Sequence, residues 1–235
     1  MDQGGQGLEA LALVGRETVQ DRVYRQLRDG LIHGAFDAGE SFPVADLAQR
    51  LGVSSMPVRE ALARLVSERA LEATPSRRVR VPLLSLARAR DVARARALIE
   101  GEMAAAALPR LAPGDVARLE ALTRDYERAR NLRELARLNH AFHFGLYARA
   151  GSAVLLPVVE SLWMQAGPFV RAAARLHSPL TDPSATLHHR GILDAIRAGD
   201  AGRVADELRA DVERTAAILE RAGPGVWAEA AGEAA

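Results

Sequence analysis

Four polar side chains in the C-terminal half could hold a cation. Asn139 and His143 stand four residues apart and so share one helix face. Apolar Leu135, Phe142 and Leu146 flank that face, so the pair is expected to point inward. His189 opens a polar cluster after a proline-containing loop, and Asp211 sits between Leu208 and Val212. Three helices could thus bring an amide oxygen, two imidazoles and a carboxylate to one point. That donor set suits Zn2+, Ni2+ or Mn2+. The same groups could instead form a hydrogen-bonded core network, because a buried polar side chain usually finds a protein partner. His140 and His188 adjoin the set, but one residue along a helix turns a side chain by about 100°. That places both beside the site or at the surface.

A second group of residues could read nucleic acid. Ser54 is a good helix N-cap, and the exposed positions of the helix it opens are Ser54, Ser55, Met56 and Arg59. An arginine there can take guanine O6 and N7 together, and serines can reach phosphate oxygens or base edges. The free N–H groups of the helix start also favour a phosphate. Arg77 and Arg78, in a Pro-Ser-Arg-Arg turn, would lie with Arg80 against the backbone or in the minor groove. From Ser55 to Arg80 six arginines face three acidic residues, a local surplus in a chain whose net charge is only +1.

The elements that must position these residues are legible from periodicity. An apolar stripe at Val19, Val23, Leu27, Leu31 and Ile32 predicts a helix from Thr18 to about His33-Gly34. Residues 36–43 read as a turn, followed by a short helix through Ala48 and Leu51 that stops at Gly52. Ser54 then opens a third helix, with Pro57 in its first turn. Two short strands follow Leu71 around the turn at 75–78, and Pro82 ends the second. Three short helices and a β-hairpin make a winged helix-turn-helix. Beyond it the pattern is helical throughout, with helices expected at 85–108, 113–130, 131–149, 153–177, 184–198 and 200–222. The fold is therefore expected to be mainly α, a winged helix-turn-helix joined to an all-helical antiparallel bundle. The division is a mobile arm at 1–15, a DNA-binding domain at 16–82, a helical domain at 85–222 and a frayed tail at 223–235.

Composition narrows the function. Hydrophobic residues make up 49% of the 235 positions and aromatics only 4%, which favours helices packed through small and aliphatic side chains. The absence of cysteine excludes disulfides and thiolate metal sites. No apolar run could span a bilayer, and the N-terminus lacks the pattern of a secretory signal, so a cytoplasmic protein is expected. No phosphate-cradling glycine loop, HExxH helix or nucleophile elbow occurs. A metal-dependent enzyme remains the rival reading, disfavoured because it would have no use for a winged helix.

The run Asp46-Leu47-Ala48, Leu51-Gly52-Val53-Ser54 and Pro57-Val58-Arg59-Glu60-Ala61-Leu62 through Leu65 resembles the GntR family of bacterial regulators over about residues 17–82. The resemblance implies that Arg59 contacts a base. Ser55 and Ala45 stand where the family often has a basic residue, the glycine usual in the wing is replaced near Arg78, and an "EGL" string reads Glu68-Arg69-Ala70-Leu71. Asn139-x-x-Phe142-His143, the run from His189 to Gly199-Asp200, and Arg96-x-x-Ile99-Glu100 are similar to the FadR-type helical ligand domain called FCD, over about residues 85–220. That likeness implies a divalent metal at Asn139, His143, His189 and Asp211, with Asn replacing the usual Asp and Asp replacing the last His. It also implies a small carboxylate effector, for which Arg96 is the candidate partner, unless Arg96 merely pairs with Glu100 four residues on. Double-stranded operator DNA and a second copy of the chain are the other expected partners, since one winged helix reads few base pairs. A regulator that has lost metal and effector binding is the alternative.

Overall fold

The computed structural model describes residues 18–74 and 78–226. Arg77, the arm expected at 1–15 and the tail beyond 226 lie outside the described residues. Residues 224–226, expected to fray, form a short 3-10 turn.

Three helices come first: α1 (Val19–Ile32), α2 (Val44–Leu51) and α3 (Ser55–Ser67). A reciprocal cap starts α1. Thr18 Oγ1 accepts from the Asp21 N–H at 3.1 Å, and Asp21 Oδ2 accepts from the Thr18 N–H at 3.2 Å. Gly52, at φ +63°, ends α2 in the left-handed conformation that spares a Cβ clash. Val58, Ala61, Leu62 and Leu65 of α3 are buried in one cluster with Val23, Leu27 and Leu31 of α1. Ser54 occupies the N-cap position of α3, but its side chain makes no capping bond.

The sheet has three strands among the described residues, β1 (Ser41–Phe42), β2 (Glu72–Ala73) and β3 (Val79–Arg80), in the antiparallel order β1-β3-β2. The first corrects the reading of residues 36–43 as turn alone. Ser41 pairs with Arg80 and Phe42 with Val79, and Phe42 is buried edge-on against Phe36 with ring centroids 4.9 Å apart. Between α3 and β2, Arg69 takes φ +58°, where an L side chain costs roughly 1–2 kcal/mol. Its carbonyl accepts a bond from Arg88 Nη2 at 2.7 Å.

The rest is a helical bundle of α4 (Leu86–Ala107), α5 (Pro113–Arg128), α6 (Leu132–Tyr147), α7 (Leu155–Leu176), α8 (Leu187–Ala198) and α9 (Ala201–Ala222). Side chains of Ser85, Asn131 and Asp200 cap α4, α6 and α9. α4 packs on α9 and α7, α5 on α6, and α8 on α9. No helix among the described residues is long and apolar enough to cross a membrane.

The two parts meet where α1 crosses α7. A Cβ on Gly167 would stand 1.9 Å from the Leu31 carbonyl oxygen, so only glycine admits this approach. Arg171 seals the contact by donating to the Gly34 carbonyl at 2.6 Å and to Asp37 Oδ1 at 2.8 Å. His33 lies edge-on to His140, centroids 4.9 Å apart.

Candidate metal centre and nucleic-acid interface

α6, α8 and α9 bring His143, His189 and Asp211 together. One ligand atom from each lies within 4.8 Å of the others, and all three residues are buried. Asn139, one turn before His143, borders the same small cavity of about 50 Å³, together with Arg96, Asp211 and Arg214. His140 and His188 are not in this cluster. His140 packs against His33, Phe144 and Trp163, and His188 meets Glu207 at 3.3 Å.

A relay of hydrogen bonds fixes the His143 ring. Arg96 pairs with Glu100 through Nε and Nη2 at 2.7 and 3.2 Å. The Tyr147 hydroxyl donates to Glu100 Oε2 at 2.5 Å, and His143 Nδ1 lies 3.0 Å from that hydroxyl. Burial, then the Glu100 charge, pushes the tyrosine far above its usual pKa, so it keeps its proton. That one proton goes to Glu100, so the Tyr147 oxygen must accept from His143 Nδ1–H. In the neutral imidazole Nε2 is then a bare lone pair, facing Asp211 Oδ2 at 3.2 Å. Two acceptors face each other, and only a proton or a cation between them resolves the contact. Two ligands bound at about 2.0–2.2 Å to one ion stand about 2.9–3.5 Å apart, which is the spacing observed. Burial opposes the charge on Asp211, yet the His143 contact holds its carboxyl below the usual range. His189 Nδ1 is buried with no hydrogen-bond partner. These residues fit a divalent cation.

Tyr147, Trp163 and Arg214 were not singled out in the sequence. Arg214 Nη2 donates to Asp211 Oδ1 at 3.3 Å, and its position three residues after Asp211 was the available signal. Tyr147, four residues after His143, gave the same kind of signal. Arg96 makes the Glu100 ion pair and also borders the cavity, its guanidinium 4.5 Å from the Trp163 ring centroid. Arg171 and Arg175 are engaged by Asp37 at 2.8 and 2.9 Å.

Acid should destabilise the metal-free protein. Burial is the main cause that lowers the pKa of both His140 and His189 to about 3. Each binds a proton more weakly folded than unfolded. Stability is therefore intact above pH 6.5 and falls as pH drops from there toward 3. Between pH 7 and 5 each histidine should cost about 2 kcal/mol. Chelator-treated protein is expected to melt well below its neutral-pH temperature at pH 5. An unchanged melting temperature would mean that these rings are wetter than the packing indicates.

In the winged-helix part, Ser54, Ser55, Met56 and Arg59 are all exposed. Arg59 has no ion pair or hydrogen bond among the described residues, and Met56 is 65% exposed. Not every arginine of this region is free. Arg64 lies over the Tyr24 ring and bonds Glu68, and Arg80 pairs with Glu72 at 2.7 Å. Glu72 is its cross-strand neighbour in the sheet, so Arg80 must share or exchange that partner to reach DNA. Arg78 is exposed beside the wing.

Residues 19–81 match the model of the bacterial regulatory proteins of the gntR family, and residues 91–214 match that of the FCD domain. The HTH-type transcriptional regulator McbR of Escherichia coli (strain K12) is 28% identical over 201 residues, 84% of this chain and 91% of that protein. The HTH-type transcriptional repressor GlaR of the same strain is 26% identical, covering 86% and 96%. The solved structure of E. coli McbR/YncC superposes with a TM-score of 0.81 at 27% identity, covering 89% of this chain and 100% of that one.

Proposed function

Because the chain belongs to the GntR family and carries an FCD domain, we propose that it reads an operator through α3 and that a cation and a carboxylate in the helical domain govern the reading. It is a DNA-binding transcriptional regulator and not an enzyme. The start of α3 enters the major groove. Arg59 takes a guanine edge, Met56 meets a thymine methyl, and Ser54 and Ser55 hold phosphates. Arg78 and its neighbour Arg77 track the backbone beside the wing. The protein works in the cytoplasm as a homodimer, whose two-fold axis matches a pseudo-palindromic operator. Light scattering is expected to give twice the chain mass, free and on DNA, and a monomer in both states would count against the arrangement.

The observation that carries the metal reading is the confrontation of His143 Nε2 with Asp211 across 3.2 Å. His143, His189 and Asp211, with Asn139 beside them, hold one divalent ion of the Zn2+, Ni2+ or Mn2+ class. When bound, the ion supplies a Lewis-acidic position that an effector carboxylate can fill. Glu100 and Tyr147 orient the His143 ring, and Arg96 keeps N–H groups to spare for the anion. Protein incubated with divalent ions and desalted should retain one ion per chain. His143→Ala should retain none, and Tyr147→Phe should bind about 10- to 100-fold more weakly, as loss of a ligand's supporting bond usually does. Metal-free wild type with a melting temperature indifferent to chelator would instead mark the four polar groups as a hydrogen-bonded core network, in a regulator without metal or effector.

A further inference from the structure

A second chamber adjoins the cation site. It has a volume of about 40 Å³, and Ile32, His33 and Gly34 at the end of α1 form one wall, facing Leu135, Trp163 and Gly167. Tyr126, Asn139, Val170 and Ala174 border both chambers, so these four side chains stand where the two adjoin. Their characters differ. Arg96, His143, Asp211 and Arg214 border the first, whereas the second is bordered mostly by aliphatic and aromatic carbon. Trp163 joins them, with the Arg96 guanidinium over its ring and its own indole N–H buried without a partner.

We propose that the second chamber is an effector subsite built jointly by the two domains. It takes the apolar tail of a short organic acid whose carboxylate lies in the first chamber. This rests on the effector reading given above and adds what the tail does. One wall of the chamber is the last turn of α1, and α1 packs directly on the DNA-reading α3. Leu31 already presses against Gly167, with no room for a methyl group between them. A tail that fills the chamber braces this seam, and one that exceeds it must lift α1 from α7. The tail therefore extends the influence of the bound carboxylate to the reading helix.

The test is calorimetric titration of the full chain, loaded with Mn2+, with acetate, propionate, butyrate and hexanoate. Each buried methylene should tighten binding about fourfold, so butyrate should bind about 15-fold more tightly than acetate. Ala136 borders the second chamber alone. Ala136→Phe should bind acetate like wild type and gain less than twofold from acetate to butyrate. Ile32→Ala, which enlarges the chamber, should move the best tail toward hexanoate, and it carries the test if Ala136→Phe does not fold. Equal affinity along the series in wild type, or an Ile32→Ala optimum identical to that of wild type, would overturn the subsite while leaving the carboxylate reading intact. Failure of every acid to bind, acetate included, would overturn both.

Discussion

Arg59→Ala is expected to abolish specific operator binding while leaving the melting temperature within about a degree of wild type. The side chain is exposed on the first turns of α3 and has no partner among the described residues. Its removal therefore takes nothing from the fold. On DNA it would lose one bidentate guanine contact, worth about 1–3 kcal/mol. A dimer loses it twice, so affinity for a two-half-site operator should fall by roughly 30-fold to over 10,000-fold. Affinity for non-specific duplex should fall far less, because phosphate contacts from the wing and the helix start persist. Anisotropy titrations at fixed salt separate the two. An Arg59→Ala protein that still prefers operator to random duplex by the wild-type factor would remove Arg59 from the interface.

The second large effect is expected at Gly167. Alanine is the better helix former by about 1 kcal/mol, and on propensity alone Gly167→Ala should stabilise α7. The structure predicts the opposite. The new methyl would sit 1.9 Å from the Leu31 carbonyl oxygen, and neither partner is a flexible side chain. The end of α1 must back away, stretching the Arg171 bond to the Gly34 carbonyl and parting His33 from His140. Overpacking of this kind costs about 1–3 kcal/mol, and here it falls on the seam between the domains. Calorimetry should show one cooperative unfolding transition in wild type and two in Gly167→Ala. The variant should also bind metal normally but lose the link between effector and DNA. A single transition at the wild-type temperature would show that α1 and α7 are not held by this contact.

Much of the fold was legible because its signals are local. Glycines at 52 and 199 and the caps Ser85, Asn131 and Asp200 mark helix ends through bonds to residues at most five positions away. β1 escaped notice because two residues carry no period, and its partner Val79–Arg80 lies far along the chain. The site divides in the same way. The Asn139 and His143 pair follows from helical spacing, whereas His189 reads only as the start of a polar cluster, and its convergence with Asp211 is what the FCD resemblance implies. The Glu100, Tyr147 and His143 relay was not legible, since it joins α4 to α6 across 47 positions. That relay decides which nitrogen of His143 faces Asp211. The left-handed conformation of Arg69 was equally hidden, because nothing in its residue type announces a φ of +58°.

The central claim is that the contents of the helical domain set the DNA affinity of α3. It is tested most directly on an operator selected from random duplexes by the protein itself. Anisotropy titrations at one salt concentration would compare chelated wild type with wild type holding Mn2+ and butyrate. Coupling of the usual size predicts operator dissociation constants at least fivefold apart, and no difference in His143→Ala. Equal constants for the loaded and chelated wild type would contradict the account, because a ligand that leaves DNA affinity unchanged does not govern the reading.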